Sequence, residues 1–220
     1  MQLVNKIMDI KAAISKVKDG DTIMIGGFGL RGAPDSLIDA LVESGVKNLT
    51  LVSNDLGSPN IGLGKLLTNK MIKNIIGSHF NKNPDVAEAY NAGLINVTVV
   101  PQGTLAESIR AAGAGIPAYY TATGAGTLLA EGKESREFNG KTFILEQAIR
   151  ADVALIRATK ADKLGNLTYC KVARNFNPAM ATAADYTIAL VDEIVEPGQI
   201  DPETVVTPHT FVKAIVKEAK

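Results

Sequence analysis

The fold is decided by the stretch Asp19-Gly20-Asp21-Thr22-Ile23-Met24-Ile25-Gly26-Gly27-Phe28-Gly29-Leu30-Arg31-Gly32-Ala33-Pro34. Its apolar run, from Thr22 to Ile25, predicts a buried β-strand, and a glycine-rich loop follows directly. Pro34 suits the first turn of a helix, because the N–H that proline lacks would have no partner there. A loop so poor in side chains lets the backbone approach a ligand closely, and N–H groups near a helix start can face negative charge. The stretch therefore predicts a strand, a ligand-binding loop and a helix.

The order of strand and helix repeats along the first half of the chain. Further apolar runs predict strands at residues 49–52, 72–76 and 97–100, and helices are predicted to begin near residues 63, 84 and 104. Alternating strands and helices predict an α/β fold with a parallel sheet covered by helices. The strands are continuous apolar runs, as expected when both faces of a sheet are buried.

The second half of the chain departs from this repeat before the core elements resume. Residues 113–126 are rich in glycine, alanine and threonine and are interpreted as an irregular functional loop or an interface. Later strands are predicted at 142–145, 153–158, 167–170 and 187–191, and helices at 177–184 and 211–219. No repeat, low-complexity segment or linker divides the chain, so residues 1–220 are expected to form a single domain.

Composition and charge exclude several classes of partner. The 220 residues are 46% hydrophobic, which is typical of a globular protein, and 23 basic residues balance 23 acidic ones. Neither a nucleic acid nor a membrane is expected as a partner, since no basic excess and no membrane-length apolar run is present. Cys170 is the single cysteine, and the first six residues lack a signal-peptide core. These features predict a cytoplasmic protein without an internal disulfide.

Candidate site residues follow the predicted strands at the end where open α/β sheets bind ligands. They are the glycine loop (residues 26–32), Asn54-Asp55, Ser78-His79 and Pro101-Gln102-Gly103. Asn54 and Gln102 carry amides, which donate two hydrogen bonds without adding charge. Uncharged donors beside glycine N–H groups suit an oxyanion that develops on a carbonyl. The alternatives are that Asn54 caps a turn and that Gln102 is a solvated loop residue.

The other reactive side chains are weaker candidates. No cluster of His, Cys or carboxylates has metal-ligand spacing, so no metal site is predicted. His79 is interpreted as structural or peripheral, and His209 is expected near a helix start. Cys170 has no base nearby in sequence and is expected to be a buried or neutral thiol. The turn Arg174-Asn175-Phe176-Asn177-Pro178 is interpreted as either a helix cap or part of an interface.

A competing motif lies within the glycine loop. Gly27-Phe28-Gly29-Leu30-Arg31-Gly32 matches the pattern G-x-G-x-x-G of dinucleotide-binding proteins, and Asp55 would supply the acid that binds the ribose. The function would then be that of a nicotinamide-dependent oxidoreductase. In that motif the helix begins within the glycines, so Pro34 would remove an N–H that the helix needs. Helical spacing starts only after Pro34, which favours a longer loop followed by a helix.

The longer pattern Asp19-Gly20-x-x-Ile23-Met24-Ile25-Gly26-Gly27-Phe28-x-x-x-Gly32-x-Pro34 resembles the alpha-subunit signature of family I CoA-transferases. Blocks along nearly the whole chain are similar to that family as well: residues 53–54, 101–107, 113–115, 165–166 and 173–177. The greatest likeness is to the alpha subunits of acetate or butyrate–acetoacetate CoA-transferases. The amino-terminal half of succinyl-CoA:3-ketoacid CoA-transferase is similar too. A signature of this length is specific, whereas the short glycine motif is not.

The resemblance implies a three-layer α/β/α fold with a mainly parallel sheet, and a ping-pong transfer of CoA between carboxylic acids. In that family a glutamate attacks the carbonyl of the acyl-CoA and passes through an acyl–glutamyl anhydride to a glutamyl-CoA thioester. The glutamate lies in the beta subunit or carboxyl-terminal half, in a Ser-Glu-Asn type of segment that this chain lacks. The chain is therefore expected to be active only with a beta subunit, in an α2β2 heterotetramer.

The resemblance also assigns roles to residues of this chain. Asn54 and Gln102 match amides that line the active site in a supporting role. Asp55 is a departure, because the 3-ketoacid enzyme has a second amide there, and it favours the acetoacetate branch. Acyl-CoA and carboxylic acids are the expected substrates, and no cofactor is expected to stay bound. The CoA-binding stretch of the family falls on Gly26, Gly27, Phe28, Gly29, Leu30, Arg31 and Gly32.

Three functions stay open on the sequence alone. The first is the alpha subunit of a CoA-transferase, and the second is the nicotinamide-dependent oxidoreductase. The third is a binding module with a degenerate site, which is consistent with the absent nucleophile. The acyl donor stays open as well, because acetyl-, butyryl- and succinyl-CoA are all chemically compatible.

Overall fold

A central sheet with helices on both faces forms the protein in the computed structural model, which describes residues 5–219. Eleven strands lie within these residues: β1 (Thr22–Ile25), β2 (Leu49–Val52), β3 (Ile72–Gly77), β4 (Asn96–Val99), β5 (Ala118–Thr121), β6 (Ser135–Phe138), β7 (Lys141–Gln147), β8 (Ala151–Asp162), β9 (Leu167–Thr168), β10 (Ala184–Val195) and β11 (Val212–Lys217). Eight of them form one sheet in the order β11-β10-β8-β1-β2-β3-β4, with β9 paired to β8. Every pair along that order is parallel, and β9 alone is antiparallel. The predicted mainly parallel sheet is confirmed.

Two buried clusters lie on opposite faces of the sheet and hold the helices against it. The helices are α1 (Ile10–Ile14), α2 (Asp35–Ser44), α3 (Gly64–Thr68), α4 (Pro84–Asn91), α5 (Gln102–Gly113) and α6 (Asn177–Thr182). Helices α1 to α4 pack on the face that carries Ile23 and Ile25. Helices α5 and α6 pack on the face that carries Met24. The three-layer α/β/α architecture is therefore confirmed.

The central and edge strands differ in burial. Ile23, Met24 and Ile25 are each 0% exposed, because successive side chains of β1 point to opposite, helix-covered faces. This explains why the run in the sequence is continuously apolar. Strand β4 lies at the edge of the sheet, and Val99 is 56% exposed. The expectation that the strands are buried on both faces is therefore wrong for β4.

The segment predicted as an irregular loop contains a strand of a second sheet. Strand β5 pairs with β7, and β7 pairs with β6 across a turn at Asn139-Gly140. All these pairs are antiparallel, in the order β5-β7-β6. The Tyr119 hydroxyl joins this small sheet to α5 by donating to the Thr104 carbonyl at 2.9 Å. Its residues are mostly exposed or half-buried, so they lack the apolar run that marks the core strands.

Two expectations for the carboxyl-terminal half are wrong, and a third is wrong in one of its alternatives. The predicted helix at 211–219 is instead strand β11, which pairs in parallel with β10. The apolar residues of this short segment fit both the helical and the strand period, and pairing with β10 selects the strand. His209 consequently lies in a turn before a strand rather than near a helix start. Cys170, expected to be a buried or neutral thiol, is exposed, so the first of these alternatives is wrong.

Residues 1–4 lie outside the described residues, so most of the stretch used to exclude a signal peptide is not covered. Between residues 5 and 219, no helix combines the length and the apolar character needed to cross a membrane.

Candidate active site

The predicted site residues that follow four of the strands meet at one edge of the sheet. The Gly29 N–H, in the loop after β1, donates to Asp55 Oδ2 at 2.7 Å. Ser78 Oγ, after β3, donates to Asn54 Oδ1 at 2.8 Å. Gln102 Nε2, at the start of α5, donates to the same oxygen at 2.9 Å. The geometry thus brings together the four groups that the strand-end rule selected.

The two amides occupy different positions in this arrangement. Asn54 is 2% exposed, and its side chain is hydrogen-bonded through both its oxygen and its nitrogen. Gln102 is exposed at the first residue of α5. Asn54 is thus more than a turn cap, because it joins Asp55, Ser78 and Gln102. Of the two amides, Gln102 is the one that a ligand can reach.

The glycine loop (residues 26–32) is a tight turn with its apolar side chains outward. Phe28 and Arg31 exchange backbone hydrogen bonds of 3.0 and 3.2 Å, and Gly29 has a φ of +59°. Phe28 and Leu30 are 52% and 50% exposed. Because the Phe28, Gly29 and Arg31 N–H groups already donate within the protein, they cannot also hold an anion. The expectation of an anion-binding loop is therefore wrong for these three N–H groups.

Residues 171–178 hold the glycine loop in place. Asn177 is 0% exposed, and its Nδ2 donates to the carbonyls of Gly32 at 3.0 Å and Ala173 at 2.9 Å. Its Oδ1 accepts the Arg157 N–H at 2.9 Å. Asn175 Nδ2 donates to the Arg31 carbonyl at 3.0 Å. The sequence predicted a helix cap or an interface here, and the contact with the loop was missed.

A small cleft opens beside these residues at the start of α5. It has a volume of about 330 Å³, and its lining includes Phe28, Gln102, Gly103 and Phe176. No carboxylate of residues 5–219 lines it, and the first turn of α5 contains no acid. The positive end of the helix dipole is therefore uncompensated at this cleft, where it can face a negative charge. A larger cavity of about 700 Å³, lined by residues of α3 and α4, contains none of the strand-end amides, so chemistry rather than size selects this cleft.

The remaining reactive side chains do not join the site chemically. His79 is exposed, and its backbone N–H donates to the Asn54 carbonyl at 3.1 Å. Burial raises the pKa of the Tyr119 hydroxyl, so this group stays protonated as a donor to the backbone of α5. Within residues 5–219, no group of three or more His, Cys, Asp or Glu side chains could hold a metal ion.

The geometry of the loop disagrees with a dinucleotide-binding motif. Gly32 has a φ of +67° and is not helical, and α2 begins only at Asp35, after Pro34. Asp35 lies in the first turn of α2, and its negative charge would repel the pyrophosphate that the motif places there. Asp55 is committed to the Gly29 N–H and is 8% exposed, so it is a poor ribose ligand.

Comparison with known proteins decides the family. A family model described as coenzyme A transferase matches residues 7–218. This chain belongs to the coenzyme A transferase family. One of the subunits of the succinyl-CoA:3-ketoacid coenzyme A transferase of Helicobacter pylori strain J99 is 52% identical over 99% of this chain and 94% of the relative. The alpha subunit of the acetate CoA-transferase of Escherichia coli K12 is 46% identical over 96% of both chains.

Solved structures of CoA-transferases share the fold. The acyl-CoA transferase of Escherichia coli O157:H7, solved as a thioester complex with CoA, superimposes with a TM-score of 0.88 at 23% identity. The match covers 96% of this chain and 47% of that chain, so this chain spans about half of it. The resemblance to family I CoA-transferases is confirmed at the level of the family, and the oxidoreductase alternative receives no support.

Proposed function

We propose that this chain is the alpha subunit of a CoA-transferase that exchanges CoA between a short-chain acyl-CoA and acetoacetate or a similar 3-oxoacid. The observation that carries the proposal is the contact between Gln102 and the buried Asn54 at the edge of an open cleft. It supplies an oriented uncharged donor where a thioester carbonyl can lie. The family supplies the reaction class, and the relatives named for 3-ketoacid and acetate transfer supply the substrate class.

The nucleophile is proposed to come from a beta subunit. None of the glutamates between residues 5 and 219 lines the cleft, and Glu107, on the same helix as Gln102, is paired with Arg110 at 2.6 Å. A glutamate from another chain would attack the thioester carbonyl and release CoA thiolate, leaving an acyl–glutamyl anhydride. The thiolate then attacks the glutamyl carbonyl and expels the carboxylate, and the 3-oxoacid resolves the resulting thioester by the reverse steps.

Gln102 is proposed to act on the carbonyl oxygen during these steps. Its Nε2 carries two hydrogens, and one of them is donated to Asn54. The other can face an oxygen in the cleft, where the start of α5 adds a favourable field. Both interactions strengthen as the carbonyl oxygen gains charge, so they lower the barrier rather than only binding substrate. The residues of the glycine loop are proposed to contact CoA mainly through side chains at its tip.

An exposed apolar rim beside the cleft supports docking of the beta subunit. It consists of Phe28, Leu30, Ile61 and Val172, which are 52%, 50%, 52% and 66% exposed. Leu30 lies beside the segment that carries Ile61, since a Cβ added at Gly62 would lie 3.1 Å from Leu30. Exposed apolar clusters rimmed by polar groups are typical of protein interfaces. We propose an α2β2 heterotetramer in the cytoplasm, without a permanently bound cofactor, that serves the metabolism of short-chain fatty acids and ketone bodies.

Reconstitution tests this function. The chain is purified alone and with the partner that a tagged copy captures from its native source, and formation of acetoacetyl-CoA is followed from succinyl-CoA and from acetyl-CoA. We expect no exchange from the chain alone and exchange with one donor or both in the complex. Exchange by the lone chain would refute a nucleophile from the partner. Added NADH should keep its free fluorescence, whereas a dinucleotide site would change it.

A further inference from the structure

Asp55 is a buried carboxylate whose hydrogen bonds reach two parts of the site at once. Its Oδ2 accepts the Gly29 N–H at 2.7 Å and Asn54 Nδ2 at 2.8 Å, and its Oδ1 accepts the Gly57 N–H at 2.9 Å. It takes part in none of the ion pairs within residues 5–219. The negative charge of the buried Asp55 carboxylate is therefore stabilised by these N–H donors. The carboxylate in turn holds the donors in place.

The bond to Asn54 determines which way that amide faces. A carboxylate accepts only from the nitrogen of an amide, so Asn54 Nδ2 turns toward Asp55 and Oδ1 turns away. That oxygen then accepts Ser78 Oγ at 2.8 Å and Gln102 Nε2 at 2.9 Å. Gln102 must consequently present its nitrogen to Asn54. Hydrogen bonds in series polarise one another, so donation to the Asp55 carboxylate makes Asn54 Oδ1 a stronger acceptor and holds the Gln102 amide more firmly in this orientation.

We propose that Asp55 is a positioning residue for CoA transfer, acting on Gln102 through Asn54 and on the glycine loop through the Gly29 N–H. This inference rests on the proposed function for the role of Gln102. The first connection sets the orientation of the donor that stabilises the oxyanion, and so affects kcat. The second sets the conformation of the glycine loop, and so affects KM for acyl-CoA. Ser78 supports the first connection only.

An acceptor oxygen, rather than a negative charge, is what the geometry requires at position 55. Asp55→Ala removes every acceptor, whereas Asp55→Asn keeps one oxygen that can accept from both Gly29 and Asn54. In Asp55→Asn the side-chain nitrogen faces only the Gly57 N–H, so only that N–H loses its acceptor. Asp55→Asn should therefore retain most of the activity that Asp55→Ala loses. Rescue by the amide distinguishes positioning from a role that depends on charge.

A double-mutant cycle in the reconstituted complex tests the proposal. With the wild-type Gln102 present, Asp55→Ala should lower kcat about 10- to 100-fold, the range expected for loss of a charge-assisted hydrogen bond. In the Gln102→Ala background the same change should lower kcat less than about 3-fold, because the residue it acts on is gone. KM for acyl-CoA should rise in both backgrounds. Equal kcat losses in both would refute the connection to Gln102, and an unchanged KM would refute the connection to the loop.

Asp162→Ala is the matched control. Asp162 is 3% exposed, and its Oδ1 accepts the N–H groups of Leu164, Gly165 and Asn166. Its removal also deletes a buried acceptor, so it should lower the melting temperature while giving no coupling to Gln102. If the loss of kcat in Asp162→Ala depended on Gln102 as strongly as the loss in Asp55→Ala, the Asp55 result would be an effect of general destabilisation. That outcome would overturn the proposal.

Two further measurements keep the proposal falsifiable. Kinetics of Ser78→Ala apply if Asp55→Ala does not assemble with the partner, and hydrogen exchange in the chain alone applies if the wild-type complex does not transfer CoA. Ser78→Ala should lower kcat a few-fold with Gln102 present, have no effect in Gln102→Ala, and leave KM unchanged; equal losses would contradict the connection through Asn54. Hydrogen exchange at the Gly29 amide of the chain alone should be faster in Asp55→Ala than in Asp55→Asn, and equal rates would contradict the connection to the loop. A wild-type complex without exchange would count against the proposed function, not against this geometry.

Discussion

Gly26, in the glycine loop, and Gly103, at the start of α5, are glycine for different reasons. A Cβ at Gly26 would overlap Asn177 Oδ1, the atom that accepts the Arg157 N–H. A Cβ at Gly103 would meet nothing within 4 Å, and Gly103 lines the cleft. At the scale of the residue, Gly26 is therefore required by packing, whereas Gly103 leaves space for a ligand.

Gly26→Ala should destabilise the fold. Its methyl group forces Asn177 aside, so the protein loses the hydrogen bonds that hold the glycine loop and also becomes overpacked. We expect the free energy of unfolding to fall by about 2 kcal/mol or more, measured by urea denaturation of the chain. Unchanged stability would show that the Asn177 contact can be replaced at no cost.

Gly103→Ala should preserve the stability of the fold and lower the activity of the complex. Alanine is favourable within a helix, so stability should stay the same or rise by a few tenths of a kcal/mol. The methyl group enters the cleft beside Gln102, and turnover of the complex should fall while assembly with the partner is kept. Wild-type kinetics in this variant would remove the cleft at the start of α5 from the active site.

Helix α5 joins the site to the small antiparallel sheet. It begins at Gln102, and the Tyr119 hydroxyl of β5 binds the carbonyl of Thr104 and contacts Ser108 Oγ at 3.1 Å. Burial raises the pKa of Tyr119, so the hydroxyl remains a donor across the neutral range. At the scale of the element, β5 thus secures the first turns of the helix that presents Gln102.

Tyr119→Phe tests this connection between elements. The ring keeps its packing, while the bonds to Thr104 and Ser108 are lost. We expect the free energy of unfolding to fall by about 1 kcal/mol in chemical denaturation, and the exchange of amides in α5 to quicken. Protection of α5 equal to that of the wild type would mean that the small sheet does not support the helix.

The sequence predicted the elements that repeat with a clear period, and the strand ends where the site forms. It placed β1 and β2 correctly, and the strand-end rule selected Asn54 and Gln102, which are in contact. It missed β11 because a short apolar segment fits a helix as well as an edge strand. Burial by neighbouring strands, which decides such cases, is a property of the whole fold.

Contacts between distant side chains and backbone were beyond what the sequence could predict. Asn177 Nδ2 binds the Gly32 carbonyl across 145 residues, and Asp55 binds the Gly29 N–H across 26. Such bonds leave no periodic pattern. The sequence predicted only a helix cap or an interface for the turn that holds the asparagines at 175 and 177, and their contact with the glycine loop is evident from the folded chain.

At the scale of the whole molecule, the described chain offers an incomplete site. The oriented donor, the start of α5 and the glycine loop surround a cleft without a carboxylate, beside an exposed apolar rim. Relatives that match nearly the full chain are named as single subunits of CoA-transferases. These observations lead to the central proposal that the covalent intermediate forms on a partner chain. We also propose, as expected from the sequence, that residues 1–220 act as one domain.

Intact-mass spectrometry of the reconstituted complex tests that proposal most directly. The complex is incubated with acyl-CoA in the absence of an acceptor acid, quenched in acid, and its chains are weighed separately. We predict that the partner chain gains the mass of CoA less one water, as in a glutamyl thioester, and that the mass of this chain is unchanged. A CoA adduct on this chain, with none on the partner, would contradict the account.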